Sequence, residues 1–342
     1  MATKTIQASG GDYATVALWE DYVDSVNGTG ILTEDETGQI NNEELTVTGT
    51  TTFAGATPGV FNIILEAQSG ESFRDHADKL TNRQAYVSGY GACVRMTSGS
   101  VPMFSIDDAN VIIRNLMLKR DSNYGAIIAY VDSGNTGQVI DSCILEAASN
   151  SQTQGVEAKS VTIKNTLIVM NASGNSVNGI FAASGTVDVQ NCVFANIGTA
   201  GTTTGIGRSY ATLTVTNTAV YNFGTDASGT MSGTNNATDE SSSGLPATNL
   251  QTSLTGSTEW ENVSSGTHDF RVKSTSVKLK DNGTASGVPS TDIIGQARSG
   301  STDIGQWEYQ AGGGGGGGGG RIILPDHYKN GRFQLKNGNF RN

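Results

Sequence analysis

A repeat constrains this chain more than any other feature. Five segments can be laid over one another: VIIRNLML at 111–118, QVIDSCIL at 138–145, VTIKNTLI at 161–168, VDVQNCVF at 187–194 and LTVTNTAV at 213–220. The shared form is apolar, x, Ile or Val, x, Asn or Ser, then an apolar run. The anchors Asn115, Ser142, Asn165, Asn191 and Asn217 are 27, 23, 26 and 26 residues apart. Gly, Asn, Ser and Thr, the residues of turns, fill the intervals. A β-rich unit of about 25 residues cannot bury its apolar side alone, but copies stacked on one another share a continuous core.

Alternation within each segment sends Ile113, Ile140, Ile163, Val189 and Val215 inward. The anchor then falls at a bend, where Asn tolerates a left-handed backbone and its amide can bond the next copy. The five anchors are therefore expected to form a structural Asn ladder at a corner of the coil, with no catalytic role. Two outward rows follow from the same alignment. One is Ile112, Val139, Thr162, Asp188 and Thr214; the other is Arg114, Asp141, Lys164, Gln190 and Thr216. The first row is too mixed to make the flat threonine array of an ice-binding face. Cys143 and Cys192 each follow an anchor, with Thr166 in the copy between. Two coils apart means ~9–10 Å, too far for a disulfide. The thiols, with Cys93, are expected to be free and buried.

This pattern resembles the right-handed parallel β-helix of the pectate-lyase-like superfamily, clearly over about 110–220 and less directly over about 45–290. The resemblance implies an all-β fold, a right-handed single-stranded parallel β-helix (solenoid), with about ten turns and a length of ~45–50 Å. Open sheet edges at its ends invite aggregation. At the N-terminal side, Val16, Trp19, Tyr22 and Val23 recur at helical spacing within 10–23, which predicts a short amphipathic helix over the first coil. At the other side, DIIGQARSGSTDIGQWEY at 292–309 resembles the D-x-x-G-x-x-R…D-I-G-x-x-E-Y element that ends many β-helix proteins. It places Arg298 as a tie to Asp292, Asp303 or Glu308. The expected organisation is an N-terminal cap at 1–45, a β-helix at 46–290, a closing element at 291–311, a polyglycine linker at 312–320 and a docking peptide at 321–342.

The last two segments are unusual. Nine consecutive glycines carry maximal backbone entropy and no packing information. The 22 residues that follow mix bases with apolar groups. Arg321, Lys329, Arg332, Lys336 and Arg341 stand against one acid, Asp326, for a net +4. The whole chain carries −11, so the remainder carries −15. Ile322, Ile323, Leu324, Tyr328, Phe333, Leu335 and Phe340 complete a peptide too small for a core of its own. A flexible tether suits attachment to a large partner, so these basic and apolar residues are the candidate docking residues.

Composition removes other classes. Gly is 45 of 342 residues, nearly twice the usual ~7%, and with Thr, Asn and Ser it argues against a helical bundle. The acidic balance argues against nucleic-acid binding. No apolar run is long enough to cross a membrane, and the start MATKTIQASGG has no secretory h-region. Three widely spaced cysteines and His76, His268 and His327 make no metal knuckle, and no cofactor motif is present. Glycoside hydrolysis needs two carboxylates about 5–9.5 Å apart. Asp141 and Asp188 lie two coils apart in different rows, and Asp107 and Asp108, if in a strand, face opposite ways. No catalytic residue is assigned.

The resemblance extends to phage-encoded β-helix proteins through GGDYAT, the Thr/Asn/Gly-rich solenoid and the D-I-G-x-x-E-Y string. It implies a structural protein of a bacteriophage virion, made in the host cytoplasm and displayed on the virion surface. As a decoration, spike or tail-fibre element it would be anchored to capsid or tail proteins by its basic C-terminal peptide. Host-surface or environmental glycans are candidate ligands, and monomer and homo-oligomer both stay open. The alternative is a virion-associated polysaccharide depolymerase, hydrolase or lyase, on the same fold. A cellular adhesin or carbohydrate-binding solenoid is a third reading, against which the missing h-region weighs.

Overall fold

The computed structural model describes residues 1–121, 125–130, 135–149, 153–172, 177–298 and 300–310. The polyglycine linker and the docking peptide lie outside these residues. Among the described residues no helix is long and apolar enough to cross a membrane.

The chain winds into a parallel β-helix with three sheets, of nine, eight and seven strands. Each coil places one strand in each. The coil from Val161 shows the plan: Val161–Lys164 in sheet I, Leu167–Ala172 in sheet II, and Asn178–Ser184 in sheet III. The next coil then begins at Thr186–Gln190. Seven coils carry all three strands, starting at Glu36–Ile40 and ending with the one that opens at Thr212–Thr216. Ala2–Ile6 adds a strand before them, and Ser232–Thr234 and Ala237–Thr238 add two after. At ~4.8 Å per strand, the nine strands of sheet I span about 38 Å. That is shorter than the ten-turn rod expected, because most of 239–309 lies over the stack and adds no coils to it.

The five repeat segments lie in register. Ile113, Ile140, Ile163 and Val189 pair in sequence across sheet I, Val189 with Val215 after them, and all five are fully buried. Two earlier coils lack the repeat signature. In the first, Gly38 takes the inward position opposite Leu65. A Cβ there would come within 2.7 Å of the Trp19 ring, so the glycine makes room for the indole. In the second, residues 68–92 are inserted between the strand Ile63–Ala67 and its sheet II partner Cys93–Met96.

Helix α1 (Val16–Ser25) covers the first coil. It begins at Val16, the first residue of the apolar spacing, because the Thr15 hydroxyl accepts from Leu18 N at 3.2 Å and sets the N-cap. Val16, Trp19 and Val23 are buried beneath it. Trp19 meets Phe53 edge-on at 6.2 Å, and Phe53 meets Phe104 at 5.9 Å. The far end is covered by residues 239–254. Asn235 N donates to Thr248 O, Leu254 N donates to Thr238 O, and Leu245 enters the inner core.

The string at 291–309 does not close that end. It runs back along the outside of sheet II. There a second core forms from the outward row Cys93, Met117, Ile144, Leu167, Val193, Ala219 and Ala237. Trp260, Phe270, Leu279, Ile293, Ile294 and Ile304 cover this row, joined by Phe73 and Tyr86 of the inserted loop. Sheet II is therefore buried on both faces. Beside the apolar row, Arg95 bridges Glu44 at 3.4 Å and Asp121 at 2.5 Å, and Lys119 bridges Glu146 at 3.3 Å. The Tyr86 hydroxyl donates to Glu44 at 2.7 Å and pins the loop to this network.

Candidate functional site

The corner between sheets I and II carries the anchor residues. Asn115, Ser142, Asn165, Asn191 and Asn217 have φ of 60°, 54°, 48°, 52° and 51°. This left-handed turn is open to Asn at low cost and less so to most side chains. The backbone ladder continues through it: the N–H groups of the five donate to Asp141, Lys164, Gln190, Thr216 and Thr234 carbonyls at 3.0–3.1 Å. Apart from Ser142 the side chains turn outward, Asn115 to the inserted loop and Asn165, Asn191 and Asn217 to the segment that covers sheet II. Asn115 Oδ1 accepts from Arg74, and Asn165 Oδ1 accepts from Arg298 at 3.3 Å. Asn217 exchanges two bonds with the Thr284 backbone, at 2.7 and 2.8 Å. The Ser142 hydroxyl donates to Asp141 at 2.8 Å.

Asn191 lies between two donors. Asn217 Nδ2 stands 3.2 Å away on one side, and the Arg298 guanidinium nitrogens stand 2.9–3.1 Å away on the other. A single amide oxygen cannot serve both. The charged donor makes the stronger bond, so the Asn191 oxygen is assigned to Arg298. The row is thus a set of sockets for the covering segment more than a chain of amides.

Arg298 is the main plug. It is almost wholly buried and pairs with Glu308 at 3.1 Å. It also donates to the Gly305 and Gln306 carbonyls at 3.0 and 3.2 Å. Burial pushes its pKa below the usual guanidinium range, opposed by Glu308, Asp292 and Asp303. Asp292 accepts from the Ile294, Gln296 and Glu308 backbone, and burial raises it to about 6. Asp303 accepts from Asp281 N and Tyr309 N, and burial raises it to about 7. Of the three acids the motif offered, Glu308 makes the direct ion pair. The two aspartates instead fold the loop that presents it.

The outward rows of sheet I match the register read from sequence. Pairing adds Glu66 ahead of Arg114. Glu66 bridges Arg114 at 2.6 Å, and Lys164 bridges Asp141 at 3.3 Å. Asp188 accepts from Gln190 at 2.6 Å. The acids of this face are therefore engaged with neighbours. The three thiols are free and buried, and burial raises each to about 12, which keeps them protonated and unreactive.

A polar cleft of about 280 Å³ opens where the inserted loop leaves sheet I, lined by Gln39, Glu66, Gln68, Ser72, Arg74, Lys79 and Asn115 among others. Its groups suit a hydroxyl-rich or anionic ligand. Glu66 is held by Arg114 and by Gln39 at 2.9 Å, and Asp75 at the rim accepts from the Ser72 hydroxyl at 2.7 Å. Both carboxylates are therefore engaged with neighbouring side chains. Nothing in the repeat pointed to it, because its walls come from the insertion that interrupts the repeat. The candidate docking residues from Arg321 to Arg341 lie outside the described residues.

No protein-family model matches the chain, and no curated protein sequence does. Among solved structures, the pectate lyase Pel9A aligns at a TM-score of 0.42 and 13% identity, over 91% of this chain and 97% of that one. So distant a likeness says nothing of activity.

Proposed function

We propose that this chain is a structural protein of a bacteriophage virion, an exposed β-helix decoration, spike or fibre element whose side chains serve cohesion. The observation that carries this reading is the engagement of the polar groups along the stack. The corner amides receive the covering segment, and the outward acids of sheet I sit in ion pairs or amide contacts. A coil stack sealed on one flank and covered at both ends offers few sites for local opening, which suits a particle surface exposed to proteases. The acidic body and the +4 peptide at 321–342 supply the second half of the proposal: the peptide attaches the rod to a capsid or tail protein. Deleting 312–342 should leave a folded rod that no longer joins particles. Normal incorporation of the truncated chain would remove the docking role. Attachment should weaken with salt, as expected for a basic peptide on an acidic surface.

The polar cleft favours one second reading, a virion-associated depolymerase or glycan-binding element. Incubation with host capsule or pectin-like polymers decides between them. New reducing ends or unsaturated products at steady turnover would establish the enzyme, and saturable binding without products would assign the cleft as a glycan contact.

A further inference from the structure

Three carboxylates meet where α1 lies against the sheet III side of the first coils. Glu20 and Asp24 stand one helical turn apart on α1, and Asp108 follows the strand Phe104–Ile106. One oxygen from each lies within 4.8 Å of the others. Glu20 and Asp108 are over nine-tenths buried. None of the ion pairs among the described residues includes any of the three.

The turn at 54–56 supplies part of a shell. Ala54 N donates to Glu20 at 3.1 Å, and Gly55 N donates to Asp108 Oδ1 at 3.2 Å. Two further oxygens, Asp24 Oδ1 and Asp108 Oδ2, are buried with no hydrogen-bond partner. Burying a carboxylate oxygen unpartnered is costly, and placing it beside two other acids adds repulsion. Gly55, at φ 118°, keeps the space open: a Cβ there would lie 2.8 Å from Asp24 Oδ2. Acids crowded together, deprived of cations and left with orphaned oxygens form the donor set that hard divalent ions take.

We propose that Glu20, Asp24 and Asp108 bind a hard divalent cation, Ca²⁺ or Mg²⁺, that fastens the capping helix to the first coils. All ligands are oxygen, which excludes soft-metal chemistry as the design of the site. The cation would neutralise the mutual repulsion and partner both orphaned oxygens. Without it, burial holds Glu20 near 8 and Asp108 near 6, protonated in part.

The test uses the full chain stripped with chelator, then titrated separately with Ca²⁺ and Mg²⁺ while Tm and binding heat are followed. Terbium luminescence sensitised by Trp19, the residue next to Glu20, reports occupancy directly. Expected are a Tm rise of several degrees, saturable heat and a terbium signal. Asp108→Asn and Glu20→Gln should each weaken affinity tenfold or more, while Glu261→Gln at an exposed position should not. A purely structural role for the acids predicts loss of stability in the variants without metal. The proposal predicts the reverse, metal-free Asp108→Asn at least as stable as the metal-free parent. A response to Ca²⁺ alone assigns the larger ion, and a response to both assigns a general hard-cation site. No saturable response to either ion, or an equal response in Asp108→Asn and Glu20→Gln, overturns the proposal.

Discussion

Sheets I and II are built from the same coils with the same spacing, yet they solve burial differently. In sheet I the strand Val161–Lys164 alternates buried and half-buried, and its outward row holds charge and threonine. In sheet II the strand Leu167–Ala172 is buried at five of six positions. The backbone does not make this difference. The outward row of sheet I is finished by ion pairs and water. The outward row of sheet II is apolar, and it is finished only when 254–307 lies on it. A parallel strand read as an unbroken apolar run is one covered on both sides.

Substitutions that exchange the characters of the two rows should have the largest effects. Leu167→Asp places an unpaired charge between sheet II and its cover, and should cost about 4–5 kcal/mol. Thr162→Lys, in the outward row of sheet I in the same coil and opposite Asp188, should stay within about 0.5 kcal/mol. Urea denaturation of the pair measures the gap, and equal costs would show that the second core is not formed.

Arg298→Ala comes next. It strands Glu308 and the Asn165 and Asn191 oxygens, and breaking a buried pair from one side costs about 3–5 kcal/mol. The loss should fall on the cover alone. Limited proteolysis should then cut within 254–309 while the coils stay intact.

A pH series addresses the cover and the cap together. Burial raises Glu20 to about 8, Asp303 to about 7 and Asp292 to about 6. Between the ordinary carboxylate range and these values, the folded chain holds protons the unfolded chain has released. That stabilisation is complete below the unfolded pKa and disappears as pH rises through 6 to 8. In chelator, Tm should fall from pH 5.5 to 8.5. Burial raises Asp226 to about 8 as well, so Glu20→Gln should reduce the uppermost part of the fall without abolishing it, and a profile flat over this range would contradict it.

The smallest effect belongs to sheet I. Lys164→Ala removes a half-exposed bridge to Asp141 and should cost no more than about 1 kcal/mol. It should cost less still at high salt.

Much of the stack was legible because a coil repeats. The anchors, the inward Ile and Val row, both outward rows of sheet I and the unpaired thiols all follow from one alignment. The second core leaves a trace in the sequence. Leu116-Met117-Leu118, Cys143-Ile144-Leu145 and Cys192-Val193-Phe194 are three consecutive apolar residues, one more than a sheet with a wet face needs. The coils before Val111 were obscured by local demands, Trp19 requiring Gly38 in one and the 68–92 insertion interrupting the other. The carboxylate cluster shows only the one-turn spacing of Glu20 and Asp24, since Asp108 meets them from 88 and 84 residues away through packing of α1. Reading 291–309 as an end closure identified the Arg298 tie but misplaced it, because a motif records its own internal bonds and not the surface that receives it.

The late position of the sheet II cover sets an order of assembly. During synthesis the coils can wind as they emerge, but seven greasy side chains from Cys93 to Ala237 stay bare until the ribosome delivers Trp260 and the residues after it. For that interval the growing rod presents a sticky stripe to its neighbours on the same polysome, and the cover of one copy fits the stripe of another. A chain of this design is most exposed to misassembly while it is unfinished and best guarded once its last turn is made.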